Sequence, residues 1–280
     1  MKTPKTLMPL QADGLIDEVL RPLKSGKEAS VYVVVSEGEV RCAKVYKEAN
    51  KRGFHTQAQY QEGRKTRNSR QGRALQKNSR FGRQQQEELW QNAEVDALYK
   101  LAAAGVRVPQ PYNFVGGVLL MELVTDADGN AAPRLNDLEL TADQAIAYHG
   151  HLIREVVKML CAGIIHGDLS EYNILLDSDG PVIIDLPQAV DAAANNNAQR
   201  MLERDVANLA DYFGRFAPAL LTTRYGKEIW KLYESGNLHP DVVLTGQFKD
   251  SDKRADVNSI MREIEDARQE ALMRRFEPEN

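Results

Sequence analysis

His166-Gly167-Asp168-Leu169-Ser170-Glu171-Tyr172-Asn173-Ile174-Leu175-Leu176, followed shortly by Val182-Ile183-Ile184-Asp185, is the stretch from which the rest of the chain can be read. Its apolar runs, IIHGDL, YNILL and PVIIDL, are short and separated by polar turns, the pattern of brief buried strands. An acid and an amide in the spacing D-x-x-x-x-N can face one phosphate site from a tight loop, the acid holding an attacking hydroxyl and the amide a metal. Asp185, ending the next apolar run, adds the second carboxylate of the oxygen-rich surroundings that Mg²⁺ requires. Singly, Asp168, Asn173 and Asp185 are ordinary turn and strand-end residues. Together, each beside an apolar strand, they point to phosphoryl transfer, which needs little beyond positioning and charge neutralisation.

Upstream, Ser25-Gly26-Lys27-Glu28-Ala29-Ser30-Val31 precedes one strand-like run, and Cys42-Ala43-Lys44-Val45 lies on the next, with the turn Ser36-Glu37-Gly38-Glu39 between them. A glycine-containing turn lets backbone amides and hydroxyls approach triphosphate oxygens, and a lysine on the neighbouring strand supplies a point charge. Alone, Gly26 is an ordinary hairpin glycine and Lys44 an ordinary surface lysine. The apolar flanks Val40, Cys42, Ala43 and Val45 make Lys44 more telling, because a cation in a half-buried strand needs an anionic partner. Glu94 is the expected partner, with Glu87, Glu88 and Asp96 as neighbouring competitors.

From about Lys47 to Arg83 hydrophobic periodicity is lost and Arg, Lys, Gln, Asn and Ser dominate, offset only by Glu48 and Glu62. Helical spacing of Leu89, Trp90, Ala93, Ala97, Leu98 and Leu101 predicts an amphipathic helix over 84–104, stopped by Gly105. FVGGVLLMELV reads as a second hairpin ending in a connector, and the lobe boundary is expected near Met121 to Thr125. Beyond it Thr141 caps a helix to about Ala162, and helices are expected over Met201 to Phe216 and Ala255 to Arg275. Trp90 and Trp230 are expected as core anchors.

The 280 residues are enough for one large domain or two lobes sharing a cleft, and 42% of them are hydrophobic. A net charge of -4 argues against a protein that coats nucleic acid, so any basic contact surface must be local. The two cysteines, Cys42 and Cys161, lie far apart in apolar stretches and read as buried free thiols in a reducing compartment. The N-terminus carries neither a signal-peptide pattern nor a membrane span, so a cytoplasmic protein with no membrane partner is expected. His149 and His151 are spaced so that they do not face one metal, and His55 lies in the basic stretch. His166 reads as a residue that orders the loop holding Asp168.

The strings SGKEASVY, CAKVYK, VPQPYNF, VLLMELV, HGDLSEYNILL and IIDLPQAV together resemble the RIO family of atypical serine/threonine protein kinases, nearest its Rio1-type branch. The resemblance spans about Leu23 to Phe213, and HGDLSEYN is a highly specific string. It implies an α+β, two-lobed protein-kinase-like fold. The small β-rich N-lobe would take residues 1–122, including the basic insertion at about 47–83, and the larger, mainly helical C-lobe residues 123–280. It implies ATP with Mg²⁺, or Mn²⁺, as the nucleotide and metal. By the family's pattern Asp168 is the catalytic acid or base, Asn173 and Asp185 bind the metal, and Lys44, paired to Glu94, contacts the nucleotide phosphates. Ser25, Gly26 and Lys27 fall in the short phosphate-binding loop, and Met121 to Leu123 in the hinge whose backbone holds adenine.

Ser170 stands where many kinases carry a catalytic-loop lysine, and Asp185 is followed by Leu-Pro instead of Phe-Gly. Pro187 stands where the family usually has a small residue, which would stiffen the metal-binding turn. Ala189 runs almost directly toward the helix near Arg200, without room for the activation and peptide-docking segments of ordinary protein kinases.

FHTQAQYQEGRKTRNSR resembles the family's flexible loop, which makes Ser69 and Ser79 candidate autophosphorylation sites and an RNA or ribosomal particle a candidate partner. Aromatic residues suited to stacking bases are sparse there: Phe54, Tyr60 and Phe81. Two other outputs share the same motif. One is a small-molecule phosphotransferase of the aminoglycoside or choline kinase type. The other is an ATPase-type switch on a ribonucleoprotein.

Overall fold

In a computed structural model the chain is described over residues 3–26, 28–47 and 80–249, with side chains in the last stretch placed from residue 92. It divides into a unit of residues 1–247 and one of residues 248–280, and every described strand and helix lies in the first. Lys27, Ser69, Ser79, the FHTQAQYQEGRKTRNSR portion and the Ala255 to Arg275 stretch fall outside the described residues, as does the side chain of Trp90.

Five antiparallel strands form the first layer: β1 (Glu18–Ser25), β2 (Ala29–Ser36), β3 (Glu39–Tyr46), β4 (Pro111–Val115) and β5 (Val118–Glu122). They are ordered β1-β2-β3-β5-β4, so β3 is paired on both edges. The β2–β3 turn puts Glu37 at φ 56 and Gly38 at φ 78, the double left-handed conformation whose twist suits a two-residue hairpin. Alternation along β3 sends Ala43 and Val45 to one face, where they pack with Leu7, Leu10, Ile16 and Val34 around the short helix α1 (Met8–Ala12). Lys44 and Tyr46 therefore share the other face. The sequence reading did not anticipate α1, whose five residues are too few to show periodicity.

Helix α2 (Arg80–Ala103) begins four residues before the expected Gln84 and buries Val95, Leu98 and Leu101 beside the carboxylate of Glu94. Gly105, at φ 72, turns the chain out of it. Helix α3 (Ala142–Cys161) starts on a reciprocal cap. Gln144 N–H donates to Thr141 Oγ1 at 3.2 Å, and Thr141 N–H donates to Gln144 Oε1 at 3.0 Å. The strands that follow are brief: β6 (Ile164–Ile165), β7 (Ile174–Leu176), β8 (Pro181–Ile183) and β9 (Val190–Asp191), with β7 paired to β8 and β6 to β9.

Helices α4 (Ala198–Phe213) and α5 (Tyr225–Glu234) complete the core with α3, burying Leu152, Val156, Leu160, Leu202, Leu209, Phe213 and Ile229 together. Helix α4 lies three residues earlier than the Met201 to Phe216 expectation. It ends at Gly214, where a Cβ would come within 2.4 Å of Leu221 as the chain folds back. Trp230 is partly buried against this core. Cys42 is a buried thiol, but Cys161 is exposed, contrary to expectation. It closes α3 just off the Leu152, Val156, Leu160 stripe, so the helical period turns it outward. Among the described residues no helix is long and apolar enough to cross a membrane.

Candidate active site

Lys44 is the point at which the sheet meets the helical half of the molecule. Its Nζ donates to Glu94 Oε1 of α2 at 2.5 Å and to Asp185 Oδ1 at 3.2 Å. The Lys44 and Glu94 side chains are 14% and 5% exposed, so neither charge could persist there without the other. Burial alone would depress the ammonium, but Glu94 and then Asp185 hold it well above its ordinary value. Glu94, the partner expected from sequence, thus brings its carboxylate to Lys44.

Asp185 follows β8 in the left-handed region, at φ 68, a conformation that Asp tolerates better than most side chains and that aims its carboxylate back at Lys44. Partial burial pushes that carboxyl up, yet Lys44 and the other positive groups around it keep it below the usual range, ionised. Asn173 closes a turn of 3₁₀ helix (Glu171–Asn173) and donates Nδ2 to Asp168 O at 2.9 Å. Its side-chain oxygen is the atom that bond does not use. The backbone of Asn173 accepts from Ile184 N–H at 2.9 Å, which ties the loop of Asp168 to the residue before Asp185.

His166 locks the two loops together. Its Nε2 meets the carbonyl of Ile184 at 3.1 Å and can only donate, while Nδ1 accepts from Asp168 N–H at 3.3 Å, so the ring is the neutral Nε2–H tautomer. Burial favours the same neutral form. Asp168 opens to solvent between these loops. Desolvation raises its carboxyl above the ordinary range, with Asp185 adding to the rise and Arg204 opposing it.

Ser25 and Gly26 form the tip of the β1–β2 turn. Gly26 N–H donates to Ala29 O at 2.9 Å, and Lys47 Nζ reaches Ser25 Oγ at 3.1 Å and Gly26 O at 2.5 Å. Met121 pairs with Cys42 and Pro111 on neighbouring strands, and Leu123 follows Glu122, the last residue of β5. The Glu122 carboxylate is held by both terminal nitrogens of Arg107, at 2.9 and 2.8 Å, and Arg107 also reaches Asp177 at 2.6 Å. A cavity of about 370 Å³ lies at this network, bounded also by His151, Glu155 and Lys158, and it takes in none of Lys44, Asp168 or Asp185.

Sequence reasoning did not single out Asp205. This α4 residue is 2% exposed, and its carboxylate accepts from Gly167 N–H at 2.7 Å and Leu169 N–H at 3.2 Å, holding the Asp168 loop from beneath. Burial pushes its carboxyl up to about 7, against the two amides and Arg204. The available signal was an acid placed inside the apolar stripe Met201, Leu202, Val206, Leu209. Arg204 donates to Gly167 O, Asn208 Nδ2 to Leu169 O at 3.0 Å, and Gln188 Nε2 to Asp168 Oδ2 at 3.3 Å.

Among the described residues no group of three or more His, Cys, Asp or Glu could hold a metal. Two oxygen donors in neighbouring loops, the ionised Asp185 carboxylate and the Asn173 amide oxygen, suit a hard cation that takes its remaining ligands from phosphate and water. These donors fit Mg²⁺ better than a self-contained protein cage would.

A family model for the RIO domain matches residues 30–225. The chain is 35% identical over 208 residues to the RIO-type serine/threonine-protein kinase Rio1 of Haloferax volcanii, covering 74% of this chain and 67% of that protein. It is 28% identical over 231 residues to the serine/threonine-protein kinase rio1 of Schizosaccharomyces pombe, covering 79% and 43%. It is also 28% identical over 225 residues to the human serine/threonine-protein kinase RIO1, covering 80% and 38%. The matched region thus spans less than half the length of the fission-yeast and human relatives.

Proposed function

The chain belongs to the RIO domain family, a family of kinases with a kinase-like α+β fold, and we propose that it transfers the γ-phosphoryl group of Mg-ATP to a serine or threonine hydroxyl, its own serines included. The observation that carries this reading is Lys44 Nζ bridging Glu94 and Asp185 beside a second loop that presents Asp168.

In this reading Glu94 holds Lys44 charged and aimed at the nucleotide phosphates, where a fixed, largely buried cation offsets developing charge. Asp168, on the opposing loop, accepts the hydrogen bond of the incoming hydroxyl, and its raised carboxyl value suits a proton acceptor. His166 and Asp205 keep that loop in register with the turn at Asp185. Asn173 and Asp185 would hold Mg²⁺, which when bound neutralises the β- and γ-phosphate oxygens. Ser25, Gly26 and Lys27 are assigned to the phosphates and Met121 and Leu123 to the adenine. The lobes are assigned to residues 1–122 and 123–280.

A second reading, ATP turnover used as an assembly switch, is favoured by one feature: β9 ends at Asp191 and α4 begins at Ala198, with no segment between them of a size to hold a peptide. Incubation with γ-labelled ATP and Mg²⁺ separates the two. Label is expected on protein with the wild type and absent with Asp168→Ala and Asp185→Ala. Free phosphate alone would replace the kinase reading with the switch, and label on an added aminoglycoside or choline would replace it with small-molecule transfer. The basic stretch 47–83 is proposed as a salt-sensitive RNA contact, and unchanged RNA retention on deleting 51–80 would remove that partner.

A further inference from the structure

Gln188 lies three residues beyond Asp185 in the same loop, yet its side chain crosses to the other loop, where Nε2 donates to Asp168 Oδ2 at 3.3 Å. Among the described residues no other side chain hydrogen-bonds to that carboxylate. The loop of Asp168 brings no cation of its own: Leu169, Ser170, Glu171, Tyr172 and Asn173 follow it. Arg204, a cation that acts on Asp168 through space, donates instead to Gly167 O and sits 3.8 Å from Asp205. An exposed carboxylate with one free rotor can turn either oxygen to an incoming hydroxyl, or neither. A donor fixed on Oδ2 leaves Oδ1 as the one oxygen to be offered.

The position of Gln188 is in turn set by the turn at Asp185. Ala189 N–H donates to Leu186 O at 3.1 Å, and Leu186 and Pro187 are buried, so the four residues after Asp185 form a compact hook. Asp185, at φ 68, opens that hook, and the Gln188 side chain leaves it toward Asp168. Building on the proposed phosphoryl transfer, we propose that Gln188 is a positioning residue: its amide N–H holds Asp168 Oδ2, turns Oδ1 to the acceptor hydroxyl, and ties the orientation of the proton acceptor to the loop that holds the metal-binding carboxylate.

The test measures total γ-phosphoryl turnover, label on protein plus free phosphate, together with ATP affinity and melting temperature for the full chain. Gln188→Met keeps the length and loses the donor, Gln188→Glu keeps the shape and replaces the donor with a repelling oxygen, and Gln188→Lys keeps a donor on a similar stem. Met and Glu are expected to lower kcat by about tenfold to a hundredfold, as a misplaced reacting group does, with KM for ATP within about twofold of wild type and melting unchanged. Lys is expected to recover much of the loss, and Gln188→Met added to Asp168→Ala to cost nothing further. Wild-type kcat in the Glu variant, or a Lys variant as slow as the Met variant, would overturn the positioning role and leave the kinase reading standing. A fall in melting temperature that tracks the loss of kcat would assign Gln188 to loop packing instead. Absence of any turnover in the wild type would overturn both.

Discussion

Two backbone amides on either side of Asp168 end on a single buried carboxylate, Asp205, so the geometry of the loop proposed to carry the proton acceptor is set by a residue of another element. Removing that carboxylate leaves two buried N–H groups without an acceptor, each worth roughly 1–3 kcal/mol when unsatisfied. Asp205→Ala is therefore expected to lower stability by about 2–5 kcal/mol in urea unfolding and turnover by about a hundredfold, while Asp205→Asn, which keeps one acceptor, falls between. The Asp168 to Asn173 loop could be read from sequence because the acid and the amide sit on one short segment whose spacing is itself the signal. Glu94 could not be chosen on spacing alone, since Glu87, Glu88 and Asp96 share its stretch and Lys44 lies 50 residues away. Only the contact between β3 and α2 selects it.

Helix α3 meets α4 and α5 at His149, whose ring lies 5.8 Å from Phe213 and 5.7 Å from Tyr225. Its Nε2 is buried with no hydrogen-bond partner among the described residues, and burial lowers the ring's pKa to about 4. The folded helix packing thus takes the neutral ring, whereas the unfolded chain takes up a proton below about 6.5. Between those values the unfolded state binds more protons, so stability is full above pH 6.5 and is lost as pH falls toward 4, by up to about 3 kcal/mol. His149→Phe should flatten that part of the profile, seen as a urea midpoint that shifts less than wild type between pH 7 and pH 4.5. An equal shift in both proteins would remove His149 as the cause. Helix α3 itself was legible, because Thr141 and Gln144 form a local cap and the apolar stripe repeats for 20 residues. What its buried histidine packs against was not, because Phe213 and Tyr225 belong to other helices.

Within residues 1–247, Arg107 ties together three elements and the turn between β7 and β8. Its N–H donates to Glu155 of α3 at 2.7 Å, its carbonyl accepts from Ile183 of β8 at 3.0 Å, and its guanidinium spans Glu122 of β5 and Asp177 beyond β7. Asp177 is only 7% exposed, so losing its partner strands a largely buried charge. Arg107→Ala is expected to cost about 2–3 kcal/mol in thermal unfolding and, if Met121 and Leu123 hold adenine as proposed, to weaken ATP binding through the neighbouring Glu122. Arg107→Lys should recover little, because a single ammonium cannot make the forked contact. By itself the sequence determined what is local: the strand and turn pattern, the capped and periodic helices, and a phosphoryl-transfer motif whose residues lie within one loop and the next strand end. Only the tertiary structure decided which distant groups meet, such as Glu94 with Lys44, Asp205 beneath the loop, Gln188 on Asp168 and Arg107 with Glu122 and Asp177. Those pairings depend on strand register and on which helix face is buried, and both are set by packing between segments that carry no mark of each other in sequence.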